Sequence, residues 1–222
     1  MSESANRIYL ILISVFITSL IVSNLIFQKF FGITVLGINF ELSAGILFYP
    51  ITFLVTDLVS EIYGAKKANQ MVFIGVIASL FCLLIVSLAN LLDATSWSPV
   101  DNEIFKLVFG NTSLAVGASM IAYLCAQFID IRIYHFWKQI TNNKHMWLRN
   151  NFSTICSQII DTFLIIFLLC SGGAIEWSKF QSLFFQGFLF KMMIALIDTP
   201  IIYLCTYYLR KKLNLSFGQE IK

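Results

Sequence analysis

The sequence predicts an all-α, polytopic membrane protein with six transmembrane helices, and composition and run length carry that class. Of its 222 residues, 58% are hydrophobic and 12% charged, with a mean hydropathy of +0.81. An ordinary soluble domain is about half apolar and about a quarter charged, so a water-soluble globule is excluded. The 22 Phe and only three Pro also exclude the polar, proline-rich character of disordered chains. Six apolar runs reach the length of about 20 residues that crosses a bilayer. Little chain remains between them, so residues 1–222 read as a single transmembrane domain.

The first run, Ile8 to Phe27, is longer than a signal-peptide core of about 7–15 residues and is followed by no small-x-small cleavage site, so it stays as a span. It carries Asn24, with Gln28 one turn on. The second, Leu42 to Tyr63, holds Pro50, Asp57 and Glu61. The third, Gln70 to Leu92, has no charge in its interior and reads as a lipid-facing wall. Gln127 and Asp130 lie in the fourth, Thr112 to Phe136, and Gln158 and Asp161 in the fifth, Asn151 to Cys170. The sixth, Leu183 to Tyr208, contains Lys191, Asp198 and Pro200.

Charge placement orients these spans. Lys66 and Lys67, then Lys138, Lys144 and Arg149, then Arg210, Lys211 and Lys212 all fall on one side. The opposite loops carry Glu41, Asp93, Asp101, Glu103 and Glu176 against Lys29, Lys106 and Lys179. The positive-inside rule places both termini in the cytoplasm of a cell carrying the protein in its inner membrane. The net charge of +3 is thus a topology signal, and no nucleic-acid partner is expected. Cys82, Cys125, Cys156, Cys170 and Cys205 all lie in apolar runs without zinc-site spacing, so neither a metal nor another cofactor is expected. A short echo, Cys125 to Asp130 and Cys156 to Asp161, would run antiparallel in neighbouring helices, as in inverted-repeat transporters.

An ionisable residue at mid-bilayer costs roughly 2.5–3.5 kcal/mol even on the lenient insertion scale. Asp57, Glu61, Asp130, Asp161 and Asp198 must therefore face a protein interior or a wet cavity. Asn24 with Gln28, Asp57 with Glu61, Gln127 with Asp130 and Gln158 with Asp161 are each three or four residues apart, so each pair shares a helix face. Lys191 and Asp198 are seven apart, about two turns, again on one face. Counting from the helix ends puts Asp161 and Lys191 each roughly 12–15 Å deep, where they can meet. Such a pair fixes helix register or serves a ligand. One lysine does not neutralise five acids, so the cavity accepts protons, a cation or a donor-rich ligand. Glu61 and Asp130 are assigned to a gate. Asp130, near the inner boundary, is expected to pair with Arg132. Pro50 and Pro200, read as interior to their runs, free the carbonyls of Ile46 and Leu196, breaks of the kind transport helices use for gating.

Three stretches together resemble the queuosine precursor transporter family, the VUT-type integral membrane proteins. They are Phe48-Tyr49-Pro50-Ile51-Thr52-Phe53 through Asp57-Leu58-Val59-Ser60-Glu61-Ile62-Tyr63-Gly64; Trp147-Leu148-Arg149-Asn150-Asn151 leading to Ser157-Gln158-Ile159-Ile160-Asp161-Thr162; and Lys191 with Asp198-Thr199-Pro200 and Tyr203. The resemblance implies uptake of 7-deazaguanine bases, the cyano and aminomethyl precursors of queuosine or queuine itself, for tRNA modification. It also implies a six-helix fold similar to the substrate-binding components of energy-coupling-factor transporters. Those dock on an energising partner through an alanine-x-x-x-alanine pattern in the first helix, and Ile8 to Phe27 contains no alanine, so no such partner is expected. A homodimer is allowed for. A deazaguanine offers two adjacent donors to one carboxylate and a carbonyl to an amide or lysine. Asp161 and Gln158 are therefore assigned to the base edge, Lys191 to the acceptor or to poising Asp161, and Asp57 and Asp198 to coupling or gating, either acid being available to the cation of an aminomethyl or queuine ligand, with Asn24 and Gln127 completing the substrate-binding set.

A vitamin or nucleobase component of an energy-coupling-factor system and a channel are the alternative readings. An intramembrane enzyme is not expected: His135 and His145 sit at the cytoplasmic boundary, and no Gly-x-Ser-x-Gly or Gly-x-Gly-Asp stretch occurs.

Overall fold

A computed structural model describes residues 3–221 other than 28, 36, 111, 143, 174 and 217; the side chains of 35, 38, 39, 41, 110 and 112–115 are also outside the description. Among the described residues, five helical stretches are long and apolar enough to cross a membrane: Glu3–Ile26, Ala44–Ala89, Val116–Ile140, Met146–Ser171 and Trp177–Leu213.

Helix α1 (Glu3–Ile26) buries Ala5, Tyr9, Phe16, Leu20 and Ser23 along one stripe and exposes Leu10, Ile11, Val15 and Val22. That three-or-four spacing is the helical period, so a single face packs inward. After it the chain forms an antiparallel ribbon of β1 (Phe30–Val35) and β2 (Ile38–Ser43), in register from Phe30↔Ser43 to Val35↔Ile38. The expected helix start at Leu42 is therefore corrected: Leu42 lies in β2 and is buried with Phe40 against Phe190. Apolar content alone does not separate a buried ribbon from a helix. A 3-10 turn, Ala44–Leu47, leads into α2 (Pro50–Ala89).

Helix α2 is broken at one residue. Gly64 has φ 80° and ψ 169°, a conformation open essentially to glycine alone. Contacts with α1 show what the break does. Gly45 packs on Ser23 and Phe27, at the C-terminal end of α1. Tyr63 donates to the Ala5 carbonyl (2.8 Å) and Tyr9 to the Lys67 carbonyl (3.0 Å), at its N-terminal end. Gly75 then faces Phe16 and Leu20, and Ser79, Cys82 and Val86 share a crevice with Asn24. The limb 50–63 thus runs down α1 and the limb 65–89 runs back up it, with Gly64 standing in for the loop expected between the second and third runs. The returning limb exposes Phe73, Ile74, Ile77, Leu80, Phe81, Leu84 and Ile85, the apolar outer wall expected of the third run.

A short α3 (Asn102–Phe105), capped by Asp101 accepting from the Ile104 N–H (2.8 Å), precedes α4 (Thr112–Ile140) and α5 (Met146–Ser171). The last two pack antiparallel: Ala118 clusters with Leu169, Ser157 donates to Asp130 (2.9 Å), and Arg149 Nε donates to Tyr134 (3.3 Å). The two echo segments therefore lie across from one another with opposite directions. Helix α6 (Phe180–Leu213) continues through Pro200. The tail then folds back, and the Ile221 N–H donates to the Ile62 carbonyl (2.8 Å). Leu215 and Ile221 pack on the cluster containing Ala5 and Tyr63, which brings both chain ends to the Gly64 end.

Candidate functional site

A crevice opens where the start of α2 meets α5 and α6, lined by Tyr49, Pro50, Phe53, Thr154, Gln158, Lys191, Ala195 and Asp198. Pro50 is not the interior break expected of it. It occupies the first turn of α2, where its missing N–H breaks no helical bond and its fixed φ suits the helix start. Pro50 thus starts α2 at the crevice, one residue after Tyr49, and the break within α2 is at Gly64.

Asp161 lies behind this wall, 2% exposed. Lys191 Nζ is 2.5 Å from Asp161 Oδ2 and also donates to Thr162 Oγ1 (3.2 Å). The Tyr49 hydroxyl donates to Asp161 Oδ1 (3.0 Å), and the Lys191 ammonium lies 5.3 Å from the Tyr49 ring centroid. Both carboxylate oxygens are thus held, one by a cation and one by a phenol, and the ring face adds a cation–π contact. Gln158 lines the same crevice with its Oε1 buried and without a hydrogen-bond partner among the described residues. Asp198, on the Lys191 face of α6, is half-buried and makes no ion pair among the described residues. Thr199 and Asn151 hydrogen-bond each other beside it, tying α5 to α6, while Pro200 faces outward.

A second acid cluster lies deeper. Asp57 on α2 and Asp130 on α4 turn toward each other within hydrogen-bonding reach, and Ser157 donates to Asp130. The expected Asp130–Arg132 pair does not form: Asp130 is wholly buried toward α2 and α5, whereas Arg132 is exposed. Two residues apart on a helix, the two side chains point in different directions.

Glu61 closes the Gly64 end. Its Oε2 is 2.6 Å from Arg149 Nη2 and 3.4 Å from Lys138 Nζ, and its Oε1 is 2.7 Å from Arg210 Nη2. Helices α4, α5 and α6 each contribute one cation to a carboxylate that is itself 0% exposed. The Tyr134 hydroxyl adds a hydrogen bond to Oε2 (3.1 Å). Arg210 also donates to the Ser216 and Gln219 carbonyls, and Lys138 pairs with Glu220 at 2.9 Å, which binds the tail into the same network.

Of the sequence-assigned residues, Gln158, Asp161, Lys191 and Asp198 come together at the crevice with Pro50. Asp57 and Asp130 form their own pair, and Glu61 lies with the cations. Asn24 sits apart, accepting from Ser119 (2.8 Å) beside Ser79 and Cys82. Gln127 is buried, and neither amide atom has a hydrogen-bond partner among the described residues. Gln28 lies outside the described residues. Sequence reasoning missed Tyr49, whose signal was a hydroxyl beside a proline within an apolar run. It also read Lys138, Arg149 and Arg210 as topology charges alone.

Comparison with known proteins bears on this arrangement. A Bacillus subtilis (strain 168) protein named "Probable queuosine precursor transporter" is 28% identical over 163 residues, covering 72% of this chain and 69% of its own. The "Queuosine precursor transporter" of Escherichia coli (strain K12) is 26% identical over 169 residues, covering 74% and 72%. A Haemophilus influenzae protein named "Probable queuosine precursor transporter" is 26% identical over 165 residues, covering 72% and 66%. No solved structure matches the chain, so likeness to energy-coupling-factor components rests on the sequence resemblance. Residues 43–205 match a family profile, and that stretch holds the crevice, the acid pair and Glu61: the chain belongs to the family described as "Putative vitamin uptake transporter".

Proposed function

We propose that this multi-pass membrane protein, a transporter and not an enzyme, imports queuosine precursors. Its substrates are 7-deazaguanine bases destined for tRNA modification inside the cell. The observation that carries the reading is Asp161, held by Lys191 and Tyr49 beside an unpartnered Gln158 amide oxygen in one crevice. Asp161 and Gln158 meet the polar edge of the base. Lys191 either serves the ligand carbonyl or poises Asp161, and Phe53 and Tyr49 supply flat apolar wall. The names of the three relatives support the substrate.

In this reading the chain crosses the inner membrane six times, the 50–63 and 65–89 limbs each making one crossing, with both termini cytoplasmic. The cations around Glu61 support that orientation, because they lie at the same end as the termini. The Glu61 cluster is the closed inner gate. Asp130 belongs to the same gate, and α2 and α6 move during alternating access about Pro50, at the start of α2 beside the crevice, and Pro200, within the continuous α6. Proton coupling runs through Asp198, with Asp57 in reserve. Asn24 and Gln127, assigned to the substrate-binding set, do not line the crevice and would meet a ligand only in another state of the transport cycle. The test is uptake of labelled deazaguanines in cells unable to make them, with queuosine in tRNA as the readout. Restored queuosine dependent on this chain supports the proposal, and its absence despite membrane insertion overturns it.

A further inference from the structure

Charge in the crevice is one-sided. Lys191, the cation among its lining residues, is committed to Asp161 at 2.5 Å, so that pair contributes no net charge. The other buried cations, Lys138, Arg149 and Arg210, are gathered on Glu61 at the inner end. Asp198 is left lining the crevice with no ion pair among the described residues. The neighbouring Gln158, 4% exposed, also offers an unpartnered acceptor, its Oε1. What the crevice leaves unsatisfied is therefore acceptors and negative charge.

We infer that the crevice selects a flat heterocycle bearing a side-chain ammonium, and that Asp198 is the group that reads the ammonium. The inference rests on the import reading and names the ligand class within it. A half-buried carboxylate at membrane depth gains a partner when a cationic ligand arrives, and the charge-assisted hydrogen bond formed there is among the strong ones. A neutral ligand with a nitrile in that place turns an acceptor toward a carboxylate, so the preference has a repulsive component as well as an attractive one. Spacing agrees: Lys191 and Asp198 are about two turns, roughly 10.5 Å, apart along α6. A fused two-ring base with a one-carbon arm is comparable in length, so its polar edge reaches the Asp161 end while its ammonium reaches Asp198. Asp57 does not serve instead, because it is 2% exposed and turned to Asp130.

The experiment is competition for binding to the purified full-length protein by 7-aminomethyl- and 7-cyano-7-deazaguanine, in wild type, Asp198→Asn and Asp198→Glu. The expected result is a wild-type preference for the aminomethyl base of at least about tenfold, the equivalent of about 1.4 kcal/mol. That ratio falls toward one in Asp198→Asn and returns in Asp198→Glu. Equal or reversed binding by the wild type overturns the inference and leaves the import reading standing. A ratio unchanged in Asp198→Asn overturns the role of Asp198. Wild type that binds neither base overturns both readings. The wild-type measurement decides the preference even if a variant does not fold.

Discussion

Replacing Glu61 with glutamine removes the carboxylate on which Lys138, Arg149 and Arg210 converge, and the structure sets the size of the effect. Breaking a buried ion pair by deleting one partner costs about 3–5 kcal/mol, mostly because the remaining charge is stranded. Three such penalties do not add here. Arg210 keeps the Ser216 and Gln219 carbonyls, and Lys138 keeps Glu220. Arg149, 0% exposed, is left with the Tyr134 hydroxyl and no anion among the described residues, so it carries most of the loss. The expected cost is therefore about 3–5 kcal/mol, a large share of a stability of about 5–15 kcal/mol. For a chain of this size it lowers the melting midpoint by about 6–20 °C. The assay is thermal unfolding of the detergent-purified protein followed by size-exclusion chromatography. Glu61→Gln combined with Arg149→Met, which also removes the stranded cation, should lose less than the two single losses added. A Glu61→Gln protein melting within about 2 °C of wild type, or a double variant showing full additivity, would refute the reasoning.

Asp161→Asn strands Lys191 and offers the ligand an amide in place of an acceptor. Base affinity should fall by roughly two orders of magnitude in competition binding, and unchanged binding by a properly inserted variant excludes Asp161 from the site. Gly64→Ala places a side chain at φ 80° and against the Glu220 carboxylate. A loss of about 1–3 kcal/mol is expected, and adding Glu220→Ala should leave the backbone part of it in place; full recovery in the double variant, read by melting, contradicts the strain argument. In vesicles with an imposed pH gradient, wild-type accumulation should fall when the gradient collapses and Asp198→Asn should be indifferent to it. Accumulation unaffected in both leaves facilitated diffusion.

Most of the helices were legible because hydropathy and length decide which stretches enter a bilayer, and the depth count for Asp161 and Lys191 brought together two residues that now stand 2.5 Å apart. What escaped has a common cause. Hydropathy cannot tell Leu42 in a buried ribbon from the first turn of a helix, so it puts the start of α2 eight residues early and Pro50 in the helix interior. Glu61 meets partners 77, 88 and 149 residues away, and no local spacing announces pairings of that range. Arg149 was counted outside its run, yet it is among the most buried side chains, because the anion it needs is supplied by another helix. Asp130 was paired with Arg132 on sequence proximity, but helical geometry points them apart.

The turn at Gly64 joins two antiparallel limbs through a single residue, with no cushion of loop between them. One limb carries Asp57 and Glu61 and begins at Pro50, next to Tyr49; the other turns a row of phenylalanine, leucine and isoleucine side chains outward. With no loop to absorb a change of angle, a tilt of the outer limb is expected to be passed to the inner limb, whose first turn lines the crevice. On the import reading proposed above, bilayer thickness thereby bears on the crevice, and reconstitution of the chain into thin and thick bilayers is expected to change its affinity for a deazaguanine, equal affinity in both contradicting the link.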